Sequence, residues 1–511
     1  MSKTWKNKQQ KMLKNCSEYD TMEQLVFMRR LIEIAIPLSA WLLITMPLWL
    51  SFWHPALVAY IIITFDIYWF YKSFSLAYYA IRSYLTMQAH IKVDWVTEAK
   101  KLKQFSKIRH VIIIPEYKEP IHILRRTLDS LVSQDFPKRR LCVVLATEKK
   151  DSEREETARI LTNEYGKKFG RFIVTTHPLR TGEVAGKSSN MAFAGKLITD
   201  LLQKEQVNLS YTTVTSCDAD AMLHPKYFSY LSYVFLTDPD RQYHFYQGAI
   251  LFYSNIWRIP LPNKMFNTIG SIWNFSLLSQ SQRFINFSTY SLSLKTVVDA
   301  GFWDTDVIPE DYHLYFKVYF TKGKKVATKG LFLPVLVDAA ESRGFFRTFV
   351  NQYEQSKRWA WGVSDVPFVI MSAFTHREIP FGDRLRRIVL LLEQHIFWPS
   401  NWFLLTLGST LPPLVNPAFA RTVLGHNLAR ISSGILTLST IFLVIVFVID
   451  WRIKPPRPKE FAMWKLPFLY LQWFTLPVIS FFLSALPGLD AHTRLMLGKK
   501  LEYRVTENSL R

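Results

Sequence analysis

The apolar and polar positions divide this chain into a hydrophobic front, an alternating middle and a hydrophobic rear. Residues 1–30 are polar and basic, with Lys3, Lys6, Lys8, Lys11, Lys14, Arg29 and Arg30. Residues 31–53 are predominantly apolar and long enough to span a bilayer. After a short turn at His54 and Pro55, residues 56–80 run apolar again, with aromatic residues at Tyr68, Trp69, Phe70 and Tyr71. The pattern predicts a transmembrane helical hairpin over 31–80 whose basic leading end stays cytoplasmic. No small-residue cleavage site follows the first apolar run, so no cleaved leader is expected. Asp66 falls inside the second run, where a carboxylate is costly, and is expected to be functional or buried and paired. Residues 81–104 mix apolar and basic positions and read as an interfacial helix.

From residue 105 the period changes. Short apolar runs at 111–114, 141–145, 172–175 and 211–217 alternate with helical patterns at 121–133, at 152–165 and from Lys187 onward. A βαβαβαβ order predicts an α/β domain with a helix-covered, mostly parallel sheet over 105–343. A further strand is expected at 245–253, an aromatic-rich helix at 262–284, and interfacial helices over 344–395, the first of them amphipathic over 344–362. The C-terminal membrane region, 396–490, holds a possible span at 396–415 despite Pro399, a clear span at 431–449, and an apolar stretch at 466–489 interrupted by Pro477 and Pro487. The basic segment 451–459 and the tail 491–511, with Arg494, Lys499, Lys500 and Arg504, both call for the cytoplasm. One span between two cytoplasmic segments gives the wrong parity. The stretch 466–489 is therefore expected to form a re-entrant or interfacial hairpin.

Composition narrows the class. A chain of 511 residues implies two or more domains, and 15% aromatics with 16 Trp, concentrated near both ends, fit a membrane protein. The net charge of +22 is compatible with nucleic acid, anionic lipid or phosphorylated substrates. No zinc-finger spacing or other nucleic-acid signature accompanies it, so membrane lipids and a phosphorylated substrate are expected and nucleic acid is not. Cys16, Cys142 and Cys217 form no spaced cluster, which supports neither a disulfide framework nor a zinc site.

Three constellations carry chemistry. Asp218-Ala-Asp220 ends a β-branched run, so its two carboxylates stand at the carboxyl end of a strand, where α/β sheets bind ligands, and can converge on one hard divalent cation. Solvated turn residues would look the same locally. Glu310-Asp311 supplies a candidate general base for a hydroxyl proton, or simply acids complementing a helix N-terminus. Gln355, Arg358 and Trp359, at i, i+3 and i+4, share one helical face. The guanidinium suits a diphosphate and the indole a sugar ring, although a snorkelling Arg with a Trp anchor at a membrane surface gives the same pattern.

Val111-Ile-Ile-Ile-Pro115-Glu-Tyr-Lys-Glu119 resembles the opening strand and loop of the family 2 nucleotide-sugar glycosyltransferases. Gly186-Lys187-Ser-Ser-Asn190 resembles that family's helix start, and Asp218-Ala-Asp220 its metal-binding DxD. The motif QxxRW at Gln355 is similar to that of membrane glycan synthases of the cellulose, chitin and hyaluronan type. The resemblance implies a GT-A type nucleotide-diphospho-sugar transferase domain flanked by transmembrane helices. It implies that Pro115, Tyr117, Glu119 and Glu148 bind the nucleotide, with Glu148 where the family usually has Asp. Lys187, Asn190, Asp218, Gln355, Arg358 and Trp359 would also bind substrate, Asp218 and Asp220 would hold Mg2+ or Mn2+, and Asp311 would act as base beside Glu310. Ser288-Thr289 departs from relatives that carry a glycine here.

The function implied is a hexosyltransferase of the plasma membrane, multi-pass with a cytoplasmic catalytic domain. It would work with inversion, moving a sugar from a UDP-linked donor to a growing polysaccharide, possibly coupled to export. A single addition to a membrane lipid acceptor is the alternative. A non-catalytic membrane protein with a degenerate domain is a third reading, whose mark would be loss of the DxD, the base or QxxRW; all three are intact. No motif identifies the sugar, the oligomeric state or an export partner.

Overall fold

A computed structural model describes residues 3–459, 461, 462, 464 and 466–501. The side chains of residues 3–22 and 466, Cys16 among them, and the tail beyond 501, with Arg504, lie outside the described residues.

Two long helices open the chain, α1 (Lys3–Trp49) and α2 (Pro55–Lys92). Pro55 stands in the first turn of α2, where a missing N–H costs nothing. There is no break at residue 81. Residues 81–92 contain neither Gly nor Pro, and Ala77, Ala80, Ser83 and Met87 carry a buried face on toward the next domain. A short α3 (Trp95–Lys100) follows, capped by the Asp94 side chain, which accepts from the Thr97 N–H.

The alternating middle folds as β1 (Arg109–Pro115), α4 (Ile121–Val132), β2 (Leu141–Glu148), α5 (Arg154–Tyr165), β3 (Arg171–His177), α6 (Lys187–Lys204) and β4 (Thr212–Ser216). It continues through β5 (Met222–Leu223), α7 (Tyr227–Thr237), β6 (His244–Leu251), α8 (Leu261–Leu277), β7 (Tyr290–Ser293), α9 (Leu294–Asp299), α10 (Glu310–Lys322) and β8 (Ala327–Leu336). The eight strands form one sheet in the order β3-β2-β1-β4-β7-β6-β8-β5. Its first four strands are parallel; β7 runs against β4 and β6, β8 is parallel to β6, and β5 closes the edge against β8. The unbroken apolar run of β1 reflects burial on both faces. Ile112 and Ile114 enter one core, Val111 and Ile113 the other, as the two-residue period of a strand requires.

The rear comprises α11 (Phe345–Ala360), α12 (Val366–Thr375), α13 (Phe381–Leu407), α14 (Leu411–Val415), α15 (Pro417–Ala420), α16 (Val423–Ile453), α17 (Leu466–Leu471), α18 (Leu476–Ser480) and α19 (Leu486–Met496). Among the described residues, four stretches are long and apolar enough to cross a membrane: Glu23–Phe52, Pro55–Lys92, Val423–Ile453 and Pro467–Met496. Front and rear are continuous with the domain. Val446 and Ile449 of α16 join Ala80 and Met87 of α2 in one core, while Ile36 of α1, Leu391 of α13 and Leu495 of α19 join the other.

Contacts trace the path of the rear helices. At the start of α13 Asp383 accepts from the Tyr319 hydroxyl of the domain, at 2.9 Å, whereas Asn416 beyond its end donates to the Ser51 carbonyl in the far turn between α1 and α2, at 3.2 Å. From there α16 returns beside α2. Leu428 packs on Ala59, Phe442 on Phe70, and Asp450 accepts from the Tyr253 hydroxyl of the domain at 2.6 Å. Asp66 is buried between these two helices and accepts from Ser432 at 2.5 Å. The stretch from Leu466 to Met496 is a succession of short helical pieces with a π turn at Phe481–Ala485, without two regular arms. It starts with Tyr470 stacked on Trp451 at the domain end of α16. The Pro477 carbonyl accepts from Trp402 at 2.7 Å, and the Leu495 carbonyl accepts from Arg30 at 2.7 Å.

Candidate active site

Asp218 and Asp220 stand just beyond β4, the strand paired with β1 on one side and β7 on the other. A turn closed by the Ala221 N–H on the Asp218 carbonyl, at 3.0 Å, presents them, and Thr127 of α4 pins it by donating to the Ala219 carbonyl at 2.6 Å. Lys187, the first residue of α6, lies across from this turn. Its Nζ is 2.7 Å from Asp218 Oδ1 and 2.9 Å from Glu310 Oε1, and it also donates to the Ser288 carbonyl at 2.8 Å.

Ser288 joins the same group from below. Its hydroxyl donates to Asp218 Oδ2 at 2.5 Å and its N–H to Asp311 Oδ2 at 2.8 Å. This requires a φ of 58°, the left-handed region that glycine adopts freely and other residues adopt at a cost of roughly 1–3 kcal/mol. The departure noted in the sequence thus keeps a glycine-like backbone and adds a hydroxyl. Asp311 Oδ1 accepts from the Tyr312 N–H at 2.8 Å, so both its oxygens are placed as acceptors.

The electrostatics split the site in two. Burial would raise Asp218, but Lys187 prevails, with help from Ser288 and Arg358, and holds its carboxyl below the usual range. Burial would lower Lys187, yet Asp218, Glu310 and Asp311 keep it charged. Burial pushes Glu310 up to about 7, against Lys187, and raises Asp311 as well. The other half has Arg126, at its margin, as a cation. Burial, then Asp338 and Asp218, push Asp220 up to about 7; burial, then Asp220 and Glu116, push Glu119 up to about 8. The Asp338 N–H donates to Asp220 Oδ2 at 3.1 Å, and Asp338 Oδ2 meets Arg126 at 2.5 Å, but Asp338 Oδ1 is buried without a hydrogen-bond partner among the described residues.

The turn where the two halves meet fits a divalent cation, because Asp218 and Asp220 offer hard oxygen donors beside a surplus of carboxylates. Among the described residues no three His, Cys, Asp or Glu side chains are grouped to hold a metal by themselves. Two carboxylates completed by substrate phosphate and water is the ligand set that Mg2+ and similar ions commonly take.

The remaining predicted residues fall around this centre. Pro115 ends β1, and the loop after it carries Tyr117 beside a left-handed Lys118, φ 58°, whose N–H donates to Asp151 at 3.1 Å. The Glu119 N–H donates to Glu116 at 3.2 Å, and burial, then Asp151, push Glu116 up to about 8. Glu148 ends β2 fully buried, and neither of its carboxylate oxygens has a hydrogen-bond partner among the described residues; burial raises its pKa. Asn190 is turned to His177 on β3, 3.2 Å away. Of the α11 set, Arg358 is close enough to Asp218 to lower it. Gln355 accepts from Gln352 at 2.9 Å, and Gln352 accepts from Asn267 at 2.7 Å, an amide ladder tying α11 to α8. Trp359 stacks with Phe252 and Phe266, at centroid distances of 5.5 and 6.4 Å, and keeps one edge exposed.

Asp338, Glu116 and Asp151 were not foreseen. Asp338 had a readable signal, since it follows an apolar strand as Asp218 does; the other two are placed only by the fold of the loops.

A family model described as glycosyl transferase family group 2 matches residues 213–482. Among solved structures the chain is similar to the mannosyltransferase PcManGT from Pyrobaculum calidifontis in complex with GDP-Man and Mn2+, at 14% identity over 77% of this chain and 100% of that one, with a TM-score of 0.41. It is also similar to residues 1–349 of S. aureus TarS in complex with UDP-GlcNAc, at 14% identity over 68% and 93% of the two chains, with a TM-score of 0.33. At these scores no residue role or substrate is taken from them. No curated protein matches the chain.

Proposed function

The chain belongs to glycosyl transferase family group 2 and is a glycosyltransferase, and from that premise we propose that it works with inversion at a membrane, moving a sugar from a UDP-linked donor to a growing polysaccharide. The observation that carries the reading is the convergence of Asp218, Glu310 and Asp311 on Lys187 and Ser288.

Asp218 and Asp220 would hold Mg2+ or Mn2+; when bound, that ion neutralises charge on the departing nucleoside diphosphate. Arg358, whose charge acts on Asp218, would bind diphosphate oxygens. Asp311 accepts the acceptor hydroxyl proton as the acceptor oxygen bonds to the sugar C1 and the C1–O bond to the diphosphate breaks. A carboxylate raised by burial toward neutrality suits that task. Lys187 and Ser288 keep the base and the donor-binding acid in register. The exposed edge of Trp359 offers a flat wall for the acceptor sugar. Asp311→Asn is expected to lower transfer by roughly 10²–10⁴-fold while UDP binding stays within about twofold. Equal loss of binding and transfer would overturn the base assignment.

The domain is read as cytoplasmic at the plasma membrane, with α1, α2, α13 and α16 crossing. Support comes from α13, which runs from Asp383 at the domain to a chain segment whose Asn416 reaches the far turn at Ser51, and from α16, which runs back from Leu428 beside Ala59 to Asp450 at the domain. The stretch 466–496, anchored at both ends near the domain, is read as staying on that side, so both termini share the cytoplasm. Protease protection of a C-terminal tag in sealed vesicles tests this; a tag on the opposite face from the catalytic domain would sink it.

A further inference from the structure

His313 takes no part in the chemistry above. It lies one turn into α10, two residues past Asp311, and is buried. Its Nδ1 is 2.5 Å from Asp365 Oδ1 and its Nε2 is 2.7 Å from Asp304 Oδ2, and its ring lies 4.4 Å from that of Phe368 in α12. Both ring nitrogens therefore face carboxylates, an arrangement that a doubly protonated imidazolium satisfies.

The two carboxylates belong to different parts of the site. Asp365 closes the short turn, Trp361–Asp365, that follows α11, the helix bearing Gln355, Arg358 and Trp359. Asp304 sits in the loop that holds the start of α6. There the Ser188 hydroxyl donates to the Asp304 carbonyl, and the Val184 N–H to the Thr305 carbonyl at 2.7 Å, with Lys187 between them. His313 itself carries the helix whose first two residues are Glu310 and Asp311.

We propose that His313 is a positioning residue that clamps three catalytic segments together, fixing the Glu310–Asp311 turn between the Lys187 helix start and the helix of Arg358. The proposal rests on the reading of Asp311 as the base.

The charged groups around the ring are Asp304 and Asp365, Lys317 on α10 paired with Asp304, and Arg29 of α1 acting on Asp365. Burial would lower His313, but the two carboxylates prevail and raise it to about 9. The group is thus charged at neutral pH. Above its folded pKa it can donate to only one of the two carboxylates, so the clamp opens as pH rises through about 9.

The test compares the full-length membrane enzyme with its His313→Gln, Asp365→Asn and Asp311→Asn forms. The readouts are nucleotide release from UDP- and GDP-sugars with Mn2+, UDP and GDP binding, and melting. Both clamp variants are expected to melt as folded proteins, bind nucleotide within twofold of the parent and lose at least tenfold in kcat with donor KM little changed. The parent's kcat should also decline through pH 9, a limb absent from His313→Gln. Unchanged kcat in a folded clamp variant would overturn the proposal, and so would matched losses of kcat and nucleotide affinity. Failure of both variants to fold would also overturn it, by making His313 a folding element only. If Asp311→Asn keeps full transfer, the base reading fails instead, whatever the clamp variants do.

Discussion

The two halves of the carboxylate site are built from the same residue types and meet at one turn, yet they are balanced differently. Asp218 and Glu310 pair with a half-buried Lys187, and Asp218 and Asp311 take Ser288 hydrogen bonds, so part of their charge is met by the protein itself, although burial still pushes Glu310 up to about 7. Asp220, Glu119 and Asp338 face one another with Arg126 at the margin, and two of them are pushed up to about 7 and 8. Self-neutralised acids hold a fixed geometry, which a base needs. Asp220, left in surplus beside Asp218, marks the place for a cation that arrives with the substrate. The contrast locates the two tasks in a way that a count of carboxylates would not.

The comparison breaks most severely at Lys187. Lys187→Met leaves a buried Glu310 and a half-buried Asp218 without their partner and is expected to cost up to about 3 kcal/mol in folding, with transfer lost. Asp220→Asn should do the opposite to the resting protein, leaving its melting temperature unchanged or higher because like charges are removed. It should abolish the stabilisation that Mn2+ with UDP gives the parent. Thermal melting of both variants, with and without Mn2+ and UDP, checks the pair; equal destabilisation would erase the distinction between the halves.

A smaller effect comes from the loop before them. Glu116 has its folded pKa raised from the ordinary 4.5 to about 8, so the folded state binds more protons than the unfolded one between those values. Its contribution to stability is complete below about pH 4.5 and falls away as pH rises toward 8. Without metal or nucleotide, the protein should therefore melt progressively lower across that range, and Glu116→Gln should flatten the slope. An identical slope in the variant would count against this buried acid.

How much of this could be read in the residues varied with the distance over which each interaction acts. The strands at Val111 and Leu141 were plain from their apolar runs, and the register of motifs from Lys187 to Trp359 marked most of the site. Three features were not local. Ser288 looked like a departure, and only the left-handed turn shows that it serves Asp218 and Asp311 together. Asn190, read as a substrate contact, is engaged with His177. The interfacial helix expected from residue 81 is the unbroken end of α2, because what extends it is packing against the domain and not a change in its own composition.

The sequence by itself determined the α/β architecture flanked by long apolar helices, the strand ends that carry acids and the order of the three motifs, since periodicity and spacing act along the chain. Tertiary structure alone decided which acid meets Lys187 and which stays in surplus, how His313 joins three segments, and that the chain beyond α13 meets the far turn at Ser51 through Asn416. Burial and pairing are set by neighbours distant in sequence, and they, more than residue type, determine what a carboxylate can do.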